Sequence, residues 1–424
     1  MTPNAATTLL RLKAEYLMPC VYHFYKDPPV IVRGEGAYLF DTTGKGYLDG
    51  YSGVSAMNAG HGNPAILDAI IAQLRQLQHT TTIYLTEPMF HLAKALADIA
   101  PGDLKRTFFC ASGSEANETA LLLATLHTER RRFIALSDAL HGRTKWAMSA
   151  TGLDLWRTDP FLLDDFSRAP RPFCLDCPLD LPFPQCGYAC IDAIERILRE
   201  VGPQHIAALI AEPIQGNGGI IVPPDGYWQR VRNLCNQHGI LLIFDEVQTA
   251  MNRTGAWFAS EHWDVVPDIV TISKALGNGL PIAATITTDI IAAAYTRPGA
   301  ATFGANPVSC AAALAVLEFH ARERLGDNAR ARGDQLLAGL TALSERSPCF
   351  ARPRGKGLMI GVDLVTPESQ PDAAGCDSLL ERLKDNGILA GKTGSTRNTL
   401  TFMPPLIITS EEIDTLLDAL SISL

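Results

Sequence analysis

Ile240-Leu241-Leu242-Ile243-Phe244-Asp245-Glu246-Val247-Gln248, followed by Val270-Thr271-Ile272-Ser273-Lys274-Ala275-Leu276-Gly277-Asn278-Gly279, decides how this chain folds. Each begins as a short apolar run, the pattern of a strand buried on both faces, and each run leads to a charged residue. In open α/β sheets ligands bind beyond the carboxyl ends of the strands, so Asp245 and Lys274 are expected to face one site. Runs at 207–211 and 282–287 also read as strands, with helical stretches between them. That alternation predicts an α/β fold with a mainly parallel central sheet flanked by helices.

Alone, a lysine after an apolar run is an ordinary loop residue, and an Asp-Glu after a strand is an ordinary helix cap. Together they have a chemical reading. A lysine that forms a Schiff base with pyridoxal 5'-phosphate needs a carboxylate on the pyridine nitrogen, because only the protonated ring withdraws charge from a substrate carbanion. Lys274 and Asp245 are the candidate catalytic pair. The phosphate in turn needs backbone N–H donors, and Phe108-Phe109-Cys110-Ala111-Ser112-Gly113-Ser114-Glu115-Ala116-Asn117-Glu118 offers a strand, a small-residue turn and a helix expected over 115–131. Gly113 lets the backbone approach, Ser114 supplies a hydroxyl and an N–H, and the helix directs its positive end at the anion. A plain serine N-cap reads the same way. Thr302, in Ala301-Thr302-Phe303-Gly304-Ala305-Asn306-Pro307, is a second candidate, although by itself that segment is a turn.

With His141-Gly142-Arg143-Thr144, Glu212-Pro213-Ile214-Gln215-Gly216 and Pro404-Pro405-Leu406, these motifs resemble, in kind and order, the class III pyridoxal-phosphate-dependent aminotransferases of fold type I, from about residue 34 to 413. The resemblance implies a large cofactor-binding domain over 51–324 and a smaller α+β domain built from 325–424 with a contribution from 1–50. By the same resemblance Lys274 carries the Schiff base, Asp245 pairs with the pyridine nitrogen and Gln248 bonds the ring oxygen. Val247 would pack under the ring with His141 on the opposite face, while Gly113 and Ser114 hold the phosphate. Thr302 would reach it from the other subunit of a homodimer with shared active sites.

Two departures from the family pattern bear on substrate. Leu140 stands where an aromatic residue usually stacks on the cofactor, which leaves an apolar lid and weaker stacking. In Asn398-Thr399-Leu400-Thr401-Phe402-Met403-Pro404, Thr401 occupies the slot of the arginine that clamps an α-carboxylate in many relatives. Arg397 lies four residues upstream and could reach in. Glu212, the partner of that arginine in relatives, would be free for a substrate ammonium or hydroxyl. Arg143, at a position that binds the distal carboxylate in 4-aminobutyrate transaminases, is an anion contact. The departures favour an amine donor without a nearby carboxylate, such as an amino sugar, polyamine or ω-amino compound, and a keto or aldehyde acceptor, with ping-pong kinetics. Racemases, epimerases and amino-alcohol phospho-lyases of the same family share the early chemistry and, in some cases, the missing arginine, so they stand as the alternative. A scaffold protein without activity is disfavoured by the presence of both Lys274 and Asp245.

The 424 residues, 47% hydrophobic and 19% charged, are enough for a large core. A net charge of −9 and a pI near 5.6 argue against nucleic acid and anionic membranes as partners. No apolar run approaches a membrane span, and Arg11, Lys13 and Glu15 interrupt the N-terminus, so neither span nor signal peptide is expected and the cytoplasm is the default. There the ten cysteines are not read as disulfides. Cys174, Cys177, Cys186 and Cys190, spaced C-x2-C-x8-C-x3-C, could hold a structural zinc or be free thiols. No catalytic motif falls among them, and no metal is expected. An alanine-rich helix is predicted over 310–325, and Thr409-Ser410-Glu411-Glu412 opens the last helix as a capping box.

Overall fold

The apolar runs lie side by side in one seven-stranded sheet of the computed structural model, which describes residues 5–424. Residues 1–4, part of the N-terminal segment read above, lie outside the described residues. The strand order is Arg106–Cys110, Ala283–Thr287, Ile269–Ile272, Leu241–Asp245, Ile206–Ala211, Arg132–Leu136, Phe166–Ala169. Only Ala283–Thr287 runs antiparallel to its neighbours; every other pairing is parallel. All six residues of Ile206–Ala211 are buried because helices cover both faces. Leu209 packs with Ile194 and Trp228 on one face, and Ile210 packs with Leu121 and Ala124 on the other.

The predicted strands fall within a residue of the observed ones, whereas two helices are displaced. The helix expected over 115–131 runs Gly113–Thr128. It starts early because the Ser112 side chain accepts from the Glu115 N–H while the Glu115 carboxylate accepts from the Ala111 N–H, and it ends where Glu129 turns left-handed with φ 55°. The helix expected over 310–325 runs Pro307–Arg322, capped by the Asn306 side chain on the N–H groups of Val308 and Ser309. Arg324 is left-handed, so Leu325–Arg346 is a separate helix. The Thr409 capping box opens Ser410–Ser423 as the sequence predicts.

Two further four-stranded sheets flank the main one. Phe350–Lys356, Met359–Leu364, Thr399–Phe402 and Gly391–Thr393 form an antiparallel sheet. Ile31–Glu35, Tyr38–Asp41 and Gly46–Asp49 pair with Ile388–Leu389 from the far end of the chain. One core joins Leu48, Leu336, Phe350, Leu379, Phe402 and Ile413. Among the described residues no helix is long and apolar enough to cross a membrane.

Gly333 lies inside Leu325–Arg346, where alanine is favoured by about 1 kcal/mol on propensity. A Cβ there would collide with the Gly357 carbonyl in the turn after Phe350–Lys356. Gly333→Ala is therefore expected to lower the thermal midpoint, and a higher midpoint would mean that helix and turn separate freely.

Candidate active site

Asp245 ends its strand directly opposite Thr271 of the neighbouring parallel strand, and Lys274 follows that neighbour two residues beyond its end. Both predicted groups therefore emerge at the same edge of the sheet. Asp245 is 3% exposed. Its Oδ2 accepts from Asn117 Nδ2 at 2.7 Å and lies 2.8 Å from His141 Nδ1, and Oδ1 accepts from the Val247 N–H at 3.1 Å.

Asn117 had no role in the sequence reading, although it sits in a quoted motif. From the inner side of Gly113–Thr128 its Nδ2 also donates to the His141 carbonyl at 2.7 Å, and its Oδ1 accepts from Thr271 Oγ1 at 2.7 Å. The signal that could have found it is a polar residue on a helix face otherwise made of Ala116, Ala120 and Leu121, all buried. His141 Nε2 is buried without a partner within the chain. Glu246, the second member of the acidic pair, has a different task. It accepts from Thr249 Oγ1 at 2.6 Å and from the N–H groups of Ala259 and Ser260 at 2.8 and 2.9 Å, closing the turn Ala259–Trp263.

Lys274 is half-buried in the left-handed region with φ 40°. Burial holds its amine below the ordinary lysine range, opposed by the charges of Asp245 and Glu212. At the neighbouring helix start, Gly113 and Ser114 are the first two residues of Gly113–Thr128, so their N–H groups have no partner in the helix. Ser114 Oγ accepts from the Arg143 N–H at 3.0 Å, which leaves its own proton to donate. Gly142, with φ 143°, permits that approach, since a Cβ there would collide with Ser114. Val247 borders the same cradle, its Cγ1 lying 2.9 Å from where a Cβ on Gly113 would stand. Glu118 closes the loop by accepting from the N–H groups of Trp146 and Ala147 at 2.9 and 3.2 Å. Gln248 is buried with its Nε2 3.2 Å from Met403 Sδ.

The two oxygens of Glu212 accept from the N–H groups of Leu140 and Gly216, each at 2.9 Å. Burial raises its carboxyl to about 7, with His141 opposing the shift. Among the described residues it makes no ion pair with an arginine. Thr401 is fully buried and its hydroxyl lies 2.7 Å from that of Thr393. Arg397 donates to the Lys392 carbonyl at 3.0 Å and sits 5.8 Å from the Phe24 ring, beside a cavity of about 670 Å³ that Tyr22 and Glu381 also line. Arg143 and Thr302 are exposed.

The four clustered cysteines line one small cavity with Phe173, Phe183 and Tyr188, and all are free thiols. Among the described residues no three His, Cys, Asp or Glu side chains are gathered to hold a metal.

The chain around this lysine and carboxylate is similar over nearly its whole length to known proteins. Residues 23–424 fit the sequence family described as Aminotransferase class-III. The chain belongs to the class III aminotransferases. It is 37% identical to the mitochondrial alanine–glyoxylate aminotransferase 2 homolog 2 of Arabidopsis thaliana, over 100% of this chain and 88% of that protein. It is 36% identical to the acetylornithine aminotransferase of Methanosarcina acetivorans, over 93% and 91%. An amine transaminase of an uncultivated Pseudomonas species, solved in its PLP-bound internal aldimine form, superimposes with a TM-score of 0.90 at 35% identity, over 96% and 97%. The fold is therefore fold type I, and class III aminotransferases use pyridoxal phosphate.

The residues present fit that cofactor: a half-buried amine, a buried carboxylate held by directed hydrogen bonds, an unpartnered histidine nitrogen, and free N–H groups at a helix start. Asn117→Ala should strand buried groups on Thr271, His141 and Asp245. It is expected to cost about 1–3 kcal/mol of stability and to weaken cofactor retention, measured by denaturant unfolding and by dialysis of the loaded enzyme.

Proposed function

We propose that this class III aminotransferase takes its amino group from an amine without a neighbouring carboxylate, such as an ω-amino compound, polyamine or amino sugar, and passes it to a keto or aldehyde acceptor. The observation that carries this reading is the Thr401 slot. In place of a guanidinium there is a fully buried threonine bonded to Thr393, and Glu212 has no cationic partner among the described residues. A substrate α-carboxylate would meet a buried acid there, whereas a substrate ammonium or hydroxyl would find a carboxylate already oriented by two backbone N–H groups. Among solved relatives, one is named an amine transaminase and another an (S)-enantioselective omega-transaminase, which agrees with this lean.

Bound pyridoxal phosphate supplies an electrophilic carbon and an electron sink. Lys274 and Asp245 act on it from either end. The Lys274 amine, kept below the ordinary lysine range by burial, is more often neutral and so able to take the proton from the substrate carbon and return it. Asp245, aimed by Asn117 and His141, would keep a proton on the ring nitrogen. Gly113 and Ser114 would hold the phosphate, Gln248 would bond the ring oxygen, and Val247, His141 and Leu140 would bound the ring. Arg143, exposed beside the cradle, receives an anionic acceptor. The donor product leaves before the acceptor enters, giving ping-pong kinetics.

A homodimer with Thr302 reaching the neighbouring phosphate belongs to the same proposal. The exposed side chains of Ile83, Tyr84, Leu85 and Phe303 support it, and the His79 ring lies 5.2 Å from that of Phe303 in the turn that carries Thr302. Residues 1–50 and 325–424 are inferred to form the smaller unit and 51–324 the larger, supported by the core that joins Leu48 to Leu336 and Phe402. A cytoplasmic setting is supported by ten unpaired cysteines.

The deciding experiment adds amines to purified holoenzyme in deuterated buffer with no acceptor. Loss of the yellow cofactor band together with a carbonyl product supports transamination. Deuterium in recovered amine with the band unchanged would make the enzyme a racemase or epimerase. Lys274→Ala is expected to cut turnover by about three orders of magnitude or more while leaving the fold intact, and near-normal turnover would refute its role.

With its carboxyl raised to about 7, Glu212 is neutral below that pH and charged above it. The KM for a cationic donor is therefore expected to fall about tenfold between pH 6 and 8, relative to a Glu212→Gln variant whose profile lacks this step. Parallel profiles for the two enzymes would remove Glu212 from substrate binding.

A further inference from the structure

Arg253 is fully buried, and its hydrogen-bond partners carry no charge. Nε donates to Ser55 Oγ at 2.9 Å. Nη1 donates to the carbonyls of Leu358 and Pro404 at 2.8 and 2.7 Å, and Nη2 to Ser52 Oγ at 3.4 Å and to Asn58 Oδ1. Burial pulls its pKa down to about 9, with Asp49 the carboxylate whose charge opposes the shift. Asp49 is itself occupied by His61 at 2.7 Å and by the N–H groups of Tyr51 and Ser52. Burying a guanidinium without a directly bonded counter-charge costs several kcal/mol, so mere packing is a poor account of it.

What the fork touches is the back of the cofactor site. Ser55 Oγ lies 3.3 Å from the Gln248 carbonyl, and Ser52 Oγ donates to the Met403 carbonyl at 2.6 Å. Gln248 and Met403 meet each other, amide to sulfur, at 3.2 Å. Asn58 Nδ2 donates to the Met251 carbonyl at 2.9 Å, binding the same loop to the segment that begins at Gln248. One guanidinium thus spans residues 52–58, the turn at Leu358 and the strand exit at Pro404. Each of those segments is distant in sequence from Gln248, and two of them touch Gln248 or its partner Met403.

We propose that Arg253 is a positioning residue: its planar fork fixes Ser55, Ser52 and Pro404 together, and through them sets where the Gln248 side chain stands toward the ring oxygen of the cofactor. The proposal rests on the reading of Gln248 as the ring-oxygen partner. A lysine would keep the charge but, as a single ammonium, could not span five acceptors in one plane.

The test uses the full-length holoenzyme and its apo form. For wild type, Arg253→Lys, Gln248→Ala and the double variant, it measures the pH midpoint of the bound cofactor's absorbance, the cofactor dissociation constant, kcat and KM, and the apo thermal midpoint. Arg253→Lys is expected to move the absorbance midpoint in the same direction as Gln248→Ala, to weaken cofactor binding about tenfold, and to lower kcat more than it changes KM. The double variant should move the midpoint no further than Gln248→Ala alone, since both act through one contact. A lysine variant that loses thermal stability but keeps the wild-type absorbance midpoint, or a double variant with additive shifts, overturns the proposal. No shift in Gln248→Ala would instead overturn the reading of Gln248. Should Arg253→Lys fail to fold, Ser55→Ala removes the hydroxyl that joins Arg253 Nε to the Gln248 carbonyl and leaves the other four acceptors of the fork in place. A smaller shift in the same direction then supports positioning, and no shift overturns it.

Discussion

A negative charge buried at the end of a strand is the constraint from which most of this structure follows. Asp245 is 3% exposed, and a buried carboxylate is tolerated only when its lone pairs are filled. That requirement accounts for Asn117 on the inner side of Gly113–Thr128, for the threonine at 271 that fixes the Asn117 amide, and for the orientation of His141. Because Asn117 belongs to the helix that begins at Gly113, the same side chain fixes the distance between Asp245 and the start of that helix. Charge, helix position and cradle are thus one mechanical unit rather than three adjacent features.

A second layer of polar anchoring holds the flanking sheets against that unit. Arg354, 6% exposed, donates to the carbonyls of Gly219 and Ile220 at 2.9 and 3.1 Å and to Asp363 Oδ1 at 2.7 Å. It therefore ties the loop after Glu212 to the antiparallel sheet from Phe350 to Phe402. Its guanidinium lies 4.8 Å from the Phe173 ring, which also lines the cysteine cavity. Arg171, three residues before the first of these cysteines, pairs with Asp138 near the Leu140 lid. The thiol-rich loop therefore buttresses the loop that carries Leu140.

Much of this was legible in the sequence, for identifiable reasons. Continuous apolar runs ending in Asp245 or leading to Lys274 carry their strand character in composition alone, so the sheet and the convergence of these residues could be read directly. Helix limits were less legible because they depend on side chains capping nearby N–H groups: Glu115 on Ala111, and Asn306 on Val308 and Ser309, each move a helix start by two or three residues. The antiparallel course of Ala283–Thr287 leaves no mark on a strand whose five residues are all buried, since burial reads the same in either direction. The partners of Glu212 were hidden for a different reason: they are backbone N–H groups, which every residue possesses and no motif displays. Asn117 and Arg253 were passed over because buried polar residues announce themselves only once their surroundings are known.

The pairing of Gly46–Asp49 with Ile388–Leu389, and the donation from the Gly50 N–H to the Leu389 carbonyl, join positions more than three hundred residues apart. Closing so long a loop must await contacts made elsewhere. During synthesis the seven-stranded sheet has all its strands by residue 287, while the first three strands of the chain still have no partner for their open edge. They stay in that condition until the ribosome has delivered nearly everything that follows. The edge of Gly46–Asp49 therefore stays open until residues 388–389 have been made, and an open strand edge is a template for misplaced pairing.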